Sequence, residues 1–314
     1  MIDALVLTAG VGRRLDPLTR LVAKPAMPLD GDTLIEHIVA WLTRRCGVRQ
    51  LVLNLHHRPA SITARVADGQ HLGARVRYSW ERQLLGSAGG PRRALPLLET
   101  DPFLIVNGDT LCDVDVAGLV AQHVQTGAEV TMAVIPNPSP DHYGGVMLDR
   151  DDAVVGFPTR GRAQGSSHFV GVQAVNRSVF EGLDEGVPAE TVAGLYRQML
   201  RDRPGSLRGY RMDTAFLDVG TPRDYLDAVL RVRGDAAPIA APTIDPSARL
   251  TRTVVWPDAR VGADVQLDSC IVAGAVVLPA GFSAQSSVLV PASLVTDGDI
   301  VEIRGDVALF AIGT

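Results

Sequence analysis

The residues best suited to chemistry lie in one stretch near the start of the chain. A mainly apolar run, residues 2–7, predicts a buried strand, and the loop that follows it contains Gly10 and Gly12. Two cations, Arg14 and Lys24, come shortly after. A glycine-rich loop after a strand exposes backbone N–H groups that bind phosphate oxygens. Because a departing pyrophosphate is stabilised by N–H donors and by cations, this stretch predicts a triphosphate site.

A second candidate is Asp109, in an Asn-Gly-Asp step that follows apolar residues 103–106. The apolar run predicts a buried strand, and a carboxylate beyond the C-terminal end of that strand, beside a triphosphate, is placed to hold Mg²⁺. An aspartate in such a step also commonly caps a turn. The phosphate loop upstream is the feature that favours a metal ligand.

A third feature is the segment ERQLLGSAGG, residues 81–90. Its small residues, among them Gly86 and Ser87, allow a flat group to approach the backbone closely. The same composition is also typical of a flexible turn. The segment therefore indicates a binding surface only in combination with the other motifs.

The elements that must position these residues are predicted from the spacing of apolar residues. Helices are expected over residues 34–45, 60–67, 91–98, 116–124 and 188–201, and strands over residues 50–55, 75–80, 103–106 and 129–135. This alternation predicts an α/β fold, a mostly parallel sheet with helices on both faces. Ligands of such sheets bind beyond the C-terminal ends of the strands, where the opening loop lies.

The pattern changes after residues 233–242, a Gly-, Ala- and Pro-containing stretch that predicts a linker. Small or branched apolar residues then recur about every six positions. They are Ile244, Leu250, Val255, Val261, Leu267 and Ala273. This period predicts a short C-terminal left-handed parallel β-helix, and with it two domains, residues 1–232 and 243–314. Hexapeptide acyltransferases use a histidine base in such a domain, but all seven histidines lie at or before His168, so we expect the tail to assemble a homo-oligomer instead.

Composition narrows the class of protein. The 314 residues are 46% hydrophobic and 21% charged, which suits one large or two ordinary packed domains. A net charge of −5 without a long basic run argues against sequence-independent binding to nucleic acid. The cysteines Cys46, Cys112 and Cys270 match no metal spacing and suit a reducing compartment. With no signal peptide or apolar membrane span in the sequence, we expect a cytoplasmic protein that does not bind membranes.

Three motifs together resemble the sugar-1-phosphate nucleotidyltransferases, the enzymes that make nucleotide sugars. The first is Gly-x-Gly-x-Arg-Leu-x-Pro-Leu-Thr from Gly10, followed by Lys-Pro; the second is the segment 81–90; the third is TAFLDVGTPRDY, residues 214–225. The third motif is long and specific. The resemblance implies a Rossmann-like α/β domain that joins a nucleoside triphosphate to a sugar 1-phosphate and releases pyrophosphate.

The resemblance also assigns roles to individual residues. Arg14 and Lys24 would be the catalytic cations, and Asp109 and Asp218 would hold Mg²⁺. Residues facing the nucleotide would be Leu7, Ala9, Gly10, Gly12, Glu81, Gly86 and Ser87. Gly145 and Gly171 would contact the sugar.

The chain departs from the family at residues 156–165. Many relatives carry Phe-x-Glu-Lys-Pro here, and their lysine binds the sugar phosphate. In this chain Phe157 is followed by Pro158, Thr159 and Arg160, so Arg160 or Arg162 is the candidate replacement. A smaller departure is Ala23, which stands where the family has a proline before Lys24.

The identity of the base rests on Glu81, and mannose 1-phosphate is the sugar phosphate expected with a guanine nucleotide. A carboxylate only accepts hydrogen bonds, and guanine offers donors, which favours GTP with mannose 1-phosphate. A uridylyl- or thymidylyltransferase acting on glucose 1-phosphate or on an N-acetylated amino sugar phosphate is an alternative. A non-catalytic nucleotide-sugar sensor is another, favoured by the missing Glu-Lys pair. The retained charges of Arg14, Lys24, Asp109 and Asp218 favour an enzyme.

Overall fold

The computed structural model describes residues 2–234 and 243–313, so most of the expected linker lies outside the described residues. The chain divides into two compact units, each assembled from separate segments. Unit 1 comprises Met1–Gly10 and Ile35–Phe216, and unit 2 comprises Val11–Leu34 and Leu217–Thr314. The division into consecutive domains at residues 232 and 243 stays a prediction.

The helices follow the predicted order. They are α1 Leu34–Arg44, α2 Pro59–Val66, α3 Gly86–Ala94, α4 Val116–Thr126, α5 Ser178–Glu181, α6 Tyr196–Asp202 and α7 Pro222–Arg233. Helix α4 begins where the Asp115 carboxylate accepts a hydrogen bond from the Gly118 N–H, and it ends at Gly127, whose φ of 62° suits a left-handed cap. Helix α7 begins with Thr221 as its cap and Pro222 in its first turn.

Most strands are short. They are β1 Ala4–Leu7, β2 Pro28–Leu29, β3 Asp32–Thr33, β4 Gln50–Leu55, β5 Arg75–Trp80, β6 Phe103–Asn107, β7 Thr110–Cys112, β8 Val130–Pro136, β9 Met147–Leu148, β10 Val154–Gly156, β11 Ser167–Val175, β12 Leu207–Arg211, β13 Phe216–Asp218, β14 Arg249–Thr251, β15 Val254–Val255, β16 Arg260–Val261, β17 Gln266–Asp268, β18 Ile271–Val272, β19 Val277–Leu278, β20 Ser283–Gln285, β21 Ser287–Pro291, β22 Glu302–Arg304 and β23 Val307–Ala311.

Unit 1 is built on a sheet of seven described strands in the order β12-β8-β11-β6-β1-β4-β5. Only β11 runs antiparallel to its neighbours among these strands, so the prediction of a mostly parallel α/β sheet is confirmed. Strand β1 lies between β4 and β6, with Leu7 opposite both Asn54 and Asn107. The C-terminal ends of β1, β4 and β6 therefore share one edge of the sheet, as expected for a ligand-binding edge.

The apolar core of unit 1 lies against this sheet. It includes Leu5 and Phe103 from the strands, Phe180 from α5 and Tyr196 from α6, all fully buried. The Tyr196 hydroxyl donates to the Gln173 side-chain oxygen, which satisfies both polar groups inside the core. Burying side chains of this size contributes about 1.5–3 kcal/mol each, so the core holds the strand ends in a fixed arrangement.

The C-terminal part of unit 2 is a stack of short parallel strands. Arg249 pairs with Gln266 and Gln266 with Ser283, so each partner lies 17 residues further along the chain (266 − 249 and 283 − 266). Two further stacks, β15-β18-β21 and β16-β19, repeat the same spacing. The spacing is one residue shorter than three six-residue repeats would give. The antiparallel strands β22 and β23 extend the β15-β18-β21 stack.

The apolar residues predicted from the six-residue period line the interior of this stack. Val261, Leu267 and Ala273 are fully buried or nearly so, while Ile244, Leu250 and Val255 are partly buried against the same core. No helix in the part of the chain that the structure describes is both long enough and apolar enough to cross a membrane.

Candidate active site

At the sheet edge of unit 1 where β1, β4 and β6 end, Asp109 follows a tight contact between β6 and β1. The Gly108 N–H donates to the Leu7 carbonyl at 3.0 Å. A Cβ added at Gly108 would lie 2.5 Å from that carbonyl oxygen, so only glycine fits between the two strand ends. The close approach carries the half-buried Asp109 directly beyond the sheet, beside the last residue of β1. Leu7 and Asp109, both predicted site residues, are therefore neighbours.

Gly171 belongs to the same edge of unit 1. Its φ is +83°, and an added Cβ would lie 2.9 Å from the Asn107 side chain. Gly145 is held by backbone bonds in the adjoining hairpin, where its N–H donates to the Pro158 carbonyl at 2.9 Å, and Ser166 fills the space beside it. Both glycines have a packing reason to be glycine, and contact with a sugar stays a prediction for each.

Glu81 is buried, with 5% of its surface exposed, and takes part in a chain of hydrogen bonds. The Thr8 N–H donates to Asn54 Oδ1 at 2.7 Å, and Asn54 Nδ2 donates to Glu81 Oε1 at 2.7 Å. Glu81 Oε2 accepts from the Leu85 N–H at 2.9 Å. Because Thr8 fixes the orientation of the Asn54 amide, two donors face position 81, and only a carboxylate accepts from both.

These hydrogen bonds connect the ends of β1, β4 and β5 to the start of α3. It also gives Glu81 a structural reason to be acidic that does not involve a base. The sequence argument that a carboxylate at position 81 favours guanine is weakened accordingly, and a contact of Glu81 with the base stays a prediction.

The predicted start of the helix at residue 91 is wrong, because residues 86–90 form the first half of helix α3. Glycine is required at two of these helical positions because the helix packs closely against other parts of unit 1. A Cβ at Gly89 would lie 2.7 Å from the Val187 carbonyl, and one at Gly90 would lie 2.9 Å from Asn54 Nδ2. Ser87, at the start of the helix, donates its N–H to the exposed carboxylate of Glu190 at 3.1 Å.

In unit 2, the loop carrying the predicted cations is tightly folded. Gly12 has a φ of +66°, and an added Cβ would lie 3.0 Å from Thr19 Cγ2 and 3.4 Å from Lys24 Cβ. Lys24 is only 8% exposed, which is unusual for a lysine. The fold thus requires glycine at position 12 and packs Lys24 beside it, so the two predicted residues lie together.

Gly220 marks where the first and third motifs meet. A Cβ added there would lie 3.1 Å from Asp218 Oδ2, 3.2 Å from Arg14 Nη2 and 3.2 Å from Asp224 Oδ2. One guanidinium and two carboxylates therefore surround the space above the Gly220 backbone. We call Arg14, Asp218, Gly220 and Asp224 the Gly220 cluster. Sequence reasoning assigned Arg14 and Asp218 but gave Asp224 no role, although it is the aspartate of the Gly-Thr-Pro-x-Asp part of the third motif.

The remaining predicted residues are more open. Gly10 is exposed, its φ is not positive, and no heavy atom of the described residues other than its chain neighbours lies within 4 Å of an added Cβ. Neither packing nor backbone conformation requires glycine there, which is the pattern expected where a ligand approaches the backbone. The preceding Ala9 is buried. Arg160 lies exposed in the loop after Phe157, where a guanidinium is accessible to a ligand.

Sequence reasoning missed three polar residues. Asn54 is buried at the end of β4, Glu190 meets the start of α3, and Asp224 belongs to the Gly220 cluster. An Asn ending an apolar strand was a signal for the first. Nothing local marked Glu190, which lies 103 residues from Ser87.

The thiols are poorly suited to nucleophilic catalysis. Burial raises the pKa of Cys46 to about 11 and that of Cys112 to about 12. Because the thiolate is the reactive form, both groups stay protonated and unreactive at neutral pH.

Binding of Mg²⁺ by Asp109 and Asp218 stays a prediction. Within residues 2–234 and 243–313, no group of three or more His, Cys, Asp or Glu side chains could hold a metal by itself. Mg²⁺ typically takes one or two carboxylates and completes its shell with phosphate oxygens and water. Asp218, facing the space above Gly220, fits that requirement.

A family profile described as nucleotidyl transferase matches residues 3–234. The chain belongs to the nucleotidyl transferase family. The resemblance drawn from the three motifs is thereby confirmed, and the chain is an enzyme of this kind.

Individual relatives of this nucleotidyl transferase carry different specificities. A mannose-1-phosphate guanylyltransferase of Mycobacterium tuberculosis is 28% identical over 295 residues, covering 89% of this chain and 82% of the relative. A UTP–glucose-1-phosphate uridylyltransferase of Synechocystis is 27% identical, covering 72% of this chain and 62% of the relative. The crystal structure of HddC from Yersinia pseudotuberculosis complexed with GMP-PN aligns with a TM-score of 0.63 at 20% identity, covering 74% of this chain and 100% of HddC. The last comparison shows a shared fold.

Proposed function

We propose that this nucleotidyl transferase joins a nucleoside triphosphate to a sugar 1-phosphate, giving a nucleotide sugar and pyrophosphate, with GTP and mannose 1-phosphate as the substrates. The Gly220 cluster is the observation that carries the proposal. Its cation comes from the first motif and its carboxylates from the third, about 200 residues later. A binding protein would have no need to bring a phosphate-binding cation and a metal-binding carboxylate around one space.

In this mechanism the sugar phosphate oxygen attacks the α-phosphorus in line, and the bond to the pyrophosphate oxygen breaks. The nucleophile is already an anion, so no general base is required. The contribution of the protein is positioning and neutralisation of charge. Arg14 and Lys24 stabilise the departing pyrophosphate, and the backbone at the exposed Gly10 and the half-buried Gly12 offers N–H donors to the nucleotide. Mg²⁺, held by Asp109 and Asp218, would neutralise charge on the phosphates.

The preference for guanine is supported by a relative rather than by Glu81. The guanylyltransferase of Mycobacterium tuberculosis aligns over most of both chains, whereas the uridylyltransferase aligns over less of each. A uridylyl- or thymidylyltransferase acting on glucose 1-phosphate or an N-acetylated amino sugar phosphate is the second candidate, favoured by the uridylyltransferase relative.

Pyrophosphate release measured on a panel tests the proposal. GTP, UTP, dTTP and ATP would each be combined with the 1-phosphates of mannose, glucose and N-acetylglucosamine. We expect the largest kcat/KM for GTP with mannose 1-phosphate. A preference for UTP or dTTP would replace the proposed substrates with those of the second candidate. No release from any pair, with nucleotide sugar binding by calorimetry, would instead identify a sensor.

The sugar phosphate is held, we infer, by Arg160 or Arg162, since both guanidinium-bearing residues are exposed in the loop that replaces the family lysine. Substituting alanine for both should raise the KM for the sugar phosphate and leave that for the triphosphate unchanged. Unaltered kinetics would exclude both arginines.

The parallel stacks of unit 2 are, we infer, the predicted left-handed β-helix, and they assemble the chain into a homo-oligomer. Three stacks repeating at a constant spacing support the β-helix. Light scattering on the full chain should give more than one subunit, and a monomeric mass would refute the assembly role.

A further inference from the structure

Arg20 connects the segment that carries the catalytic cations to the C-terminal end of unit 2. Its Nη1 donates to Asp299 Oδ2 at 2.6 Å and its Nη2 donates to Asp299 Oδ1 at 2.8 Å, which is a two-pronged contact. Nη1 also donates to the Leu294 carbonyl at 2.8 Å. On the other side, the Arg20 Nε donates to Asp16 Oδ1 at 2.7 Å. One guanidinium thus links Asp16, four residues earlier, to Asp299, 279 residues further along the chain.

The contact is better shielded than an ordinary surface ion pair. The side chains of Arg20 and Asp299 are only 19% and 14% exposed, and the guanidinium lies 5.5 Å from the centre of the Phe310 ring. Hydrogen bonding to Asp299 and Asp16 raises the pKa of Arg20, and Arg20 lowers the pKa of Asp299 well below its usual range. The Thr296 N–H also donates to Asp299 at 2.7 Å, which fixes the carboxylate in its own turn.

Two further contacts hold the same segment inside unit 2. Gly274 has a φ of +77°, and an added Cβ would lie 2.9 Å from Leu21 Cδ2, so Leu21 packs directly on the strand stack. The Tyr225 hydroxyl donates to the Pro28 carbonyl and accepts from Trp256 Nε1 at 2.9 Å. These contacts flank Lys24 on both sides in the chain.

The segment needs such support because it has little regular structure. Between residues 11 and 27 it consists of three single-turn helices, Arg13–Leu15, Leu18–Arg20 and Lys24–Ala26. Such turns have few internal hydrogen bonds, so contacts from outside must determine their arrangement. Arg20 ends the middle turn, six residues after Arg14 and four before Lys24.

We propose that Arg20 is a positioning residue, whose contact with Asp299 and the Leu294 carbonyl holds Arg14 and Lys24 in the arrangement that catalysis requires. The turn at residues 294–299 then contributes to catalysis by holding this segment, in addition to any role in assembly. This inference rests on the proposed function, since it assigns Arg20 to the same reaction. A displacement of the cations of the order of 1 Å would cost about a hundredfold in rate.

The test compares Asp299→Asn, Arg20→Ala and Arg20→Lys with Glu302→Gln. Glu302 is the matched control, because it forms a similar two-pronged pair with Arg304 in the same part of the chain, exposed to solvent. We expect Asp299→Asn and Arg20→Ala to lower kcat about tenfold to a hundredfold with smaller changes in either KM. Arg20→Lys keeps the positive charge but cannot make the two-pronged contact, so its kcat should lie between those of Arg20→Ala and the wild type. The kcat of Glu302→Gln should match that of the wild type.

A second measurement does not depend on activity. Arg13 and Arg14 are exposed, so trypsin cleavage after them reports opening of the segment. We expect faster cleavage in Asp299→Asn than in the wild type or in Glu302→Gln, with circular dichroism confirming that each variant is folded. If Arg20→Ala fails to fold, Asp299→Asn still decides the question.

Wild-type kcat and cleavage rates in Asp299→Asn would overturn the inference, as would an equal loss in Glu302→Gln. Failure of the proposed function gives a different result. The wild type would then release no pyrophosphate from any substrate pair, while the tryptic comparison would still report whether Asp299 holds the segment.

Discussion

Replacing Gly220 with alanine would place a methyl group among the three charged side chains of the Gly220 cluster. The added carbon would lie 3.1–3.2 Å from Asp218 Oδ2, Arg14 Nη2 and Asp224 Oδ2, where ordinary contacts begin at 3.4 Å. The backbone tolerates the change, because the φ of Gly220 does not lie in the left-handed region. The side chains must therefore yield by a few tenths of an ångström.

The size of the effect follows from that displacement. If a shift of about 1 Å lowers the rate about a hundredfold and the activation free energy rises in proportion to the shift, a shift of about 0.3 Å lowers the rate roughly fourfold. Because three groups move together, the expected loss of kcat is about fourfold to tenfold. This corresponds to about 0.8–1.4 kcal/mol of activation free energy. The free energy of unfolding should change by less than about 1 kcal/mol, because the side-chain ends are flexible and alanine restricts the unfolded chain.

The assay is steady-state pyrophosphate release measured beside thermal melting. Gly182→Ala is the matched control, since Gly182 follows helix α5 with a φ of −77° and an added Cβ there meets nothing within 4 Å among the described residues. A Gly220→Ala variant that melts normally and turns over at the wild-type rate would refute the reasoning, because the charged groups around Gly220 would then lie away from the reacting phosphates.

Three further predictions follow from the same structure. Asp109→Asn and Asp218→Asn should each lower turnover by about a hundredfold or more while melting normally, and the wild type without Mg²⁺ should be equally inactive; near-wild-type turnover would make these aspartates turn caps. Glu81→Gln should reduce the free energy of unfolding by about 1–3 kcal/mol, because the new amide donor would face another donor, either Asn54 Nδ2 or the Leu85 N–H. An unchanged midpoint of denaturant unfolding would contradict this. Burial lowers the pKa of His123, so the unfolded chain binds a proton there more readily, and the free energy of unfolding should fall as pH drops below about 6.5. Calorimetry should show that the free energy of unfolding depends less on pH in His123→Gln than in the wild type. An equal pH dependence in both would exclude His123 as a cause.

The sequence determined the features that depend on neighbouring residues. Short local patterns predicted the strands Gln50–Leu55 and Arg75–Trp80 with the bounds that the structure has, the first from its apolar run and the second from its alternation of polar and apolar residues. The three motifs were sufficient to recognise the family, since each keeps its glycines, cations and carboxylates within about a dozen positions.

Tertiary structure decided what depends on distant residues. The glycines at 86–90 are locally typical of a turn, yet they begin helix α3. Gly89 and Gly90 are glycine because Val187 and Asn54 leave no room for a side chain there. The acidic character of Glu81 read as a base contact, but the Asn54 amide, held in one orientation by Thr8, also requires a carboxylate. The partner of Arg20 lies 279 residues away, and no local pattern encodes a pairing at that separation. Only packing of the folded chain brings such groups together, so the contact between Arg20 and Asp299 could not be predicted from the sequence.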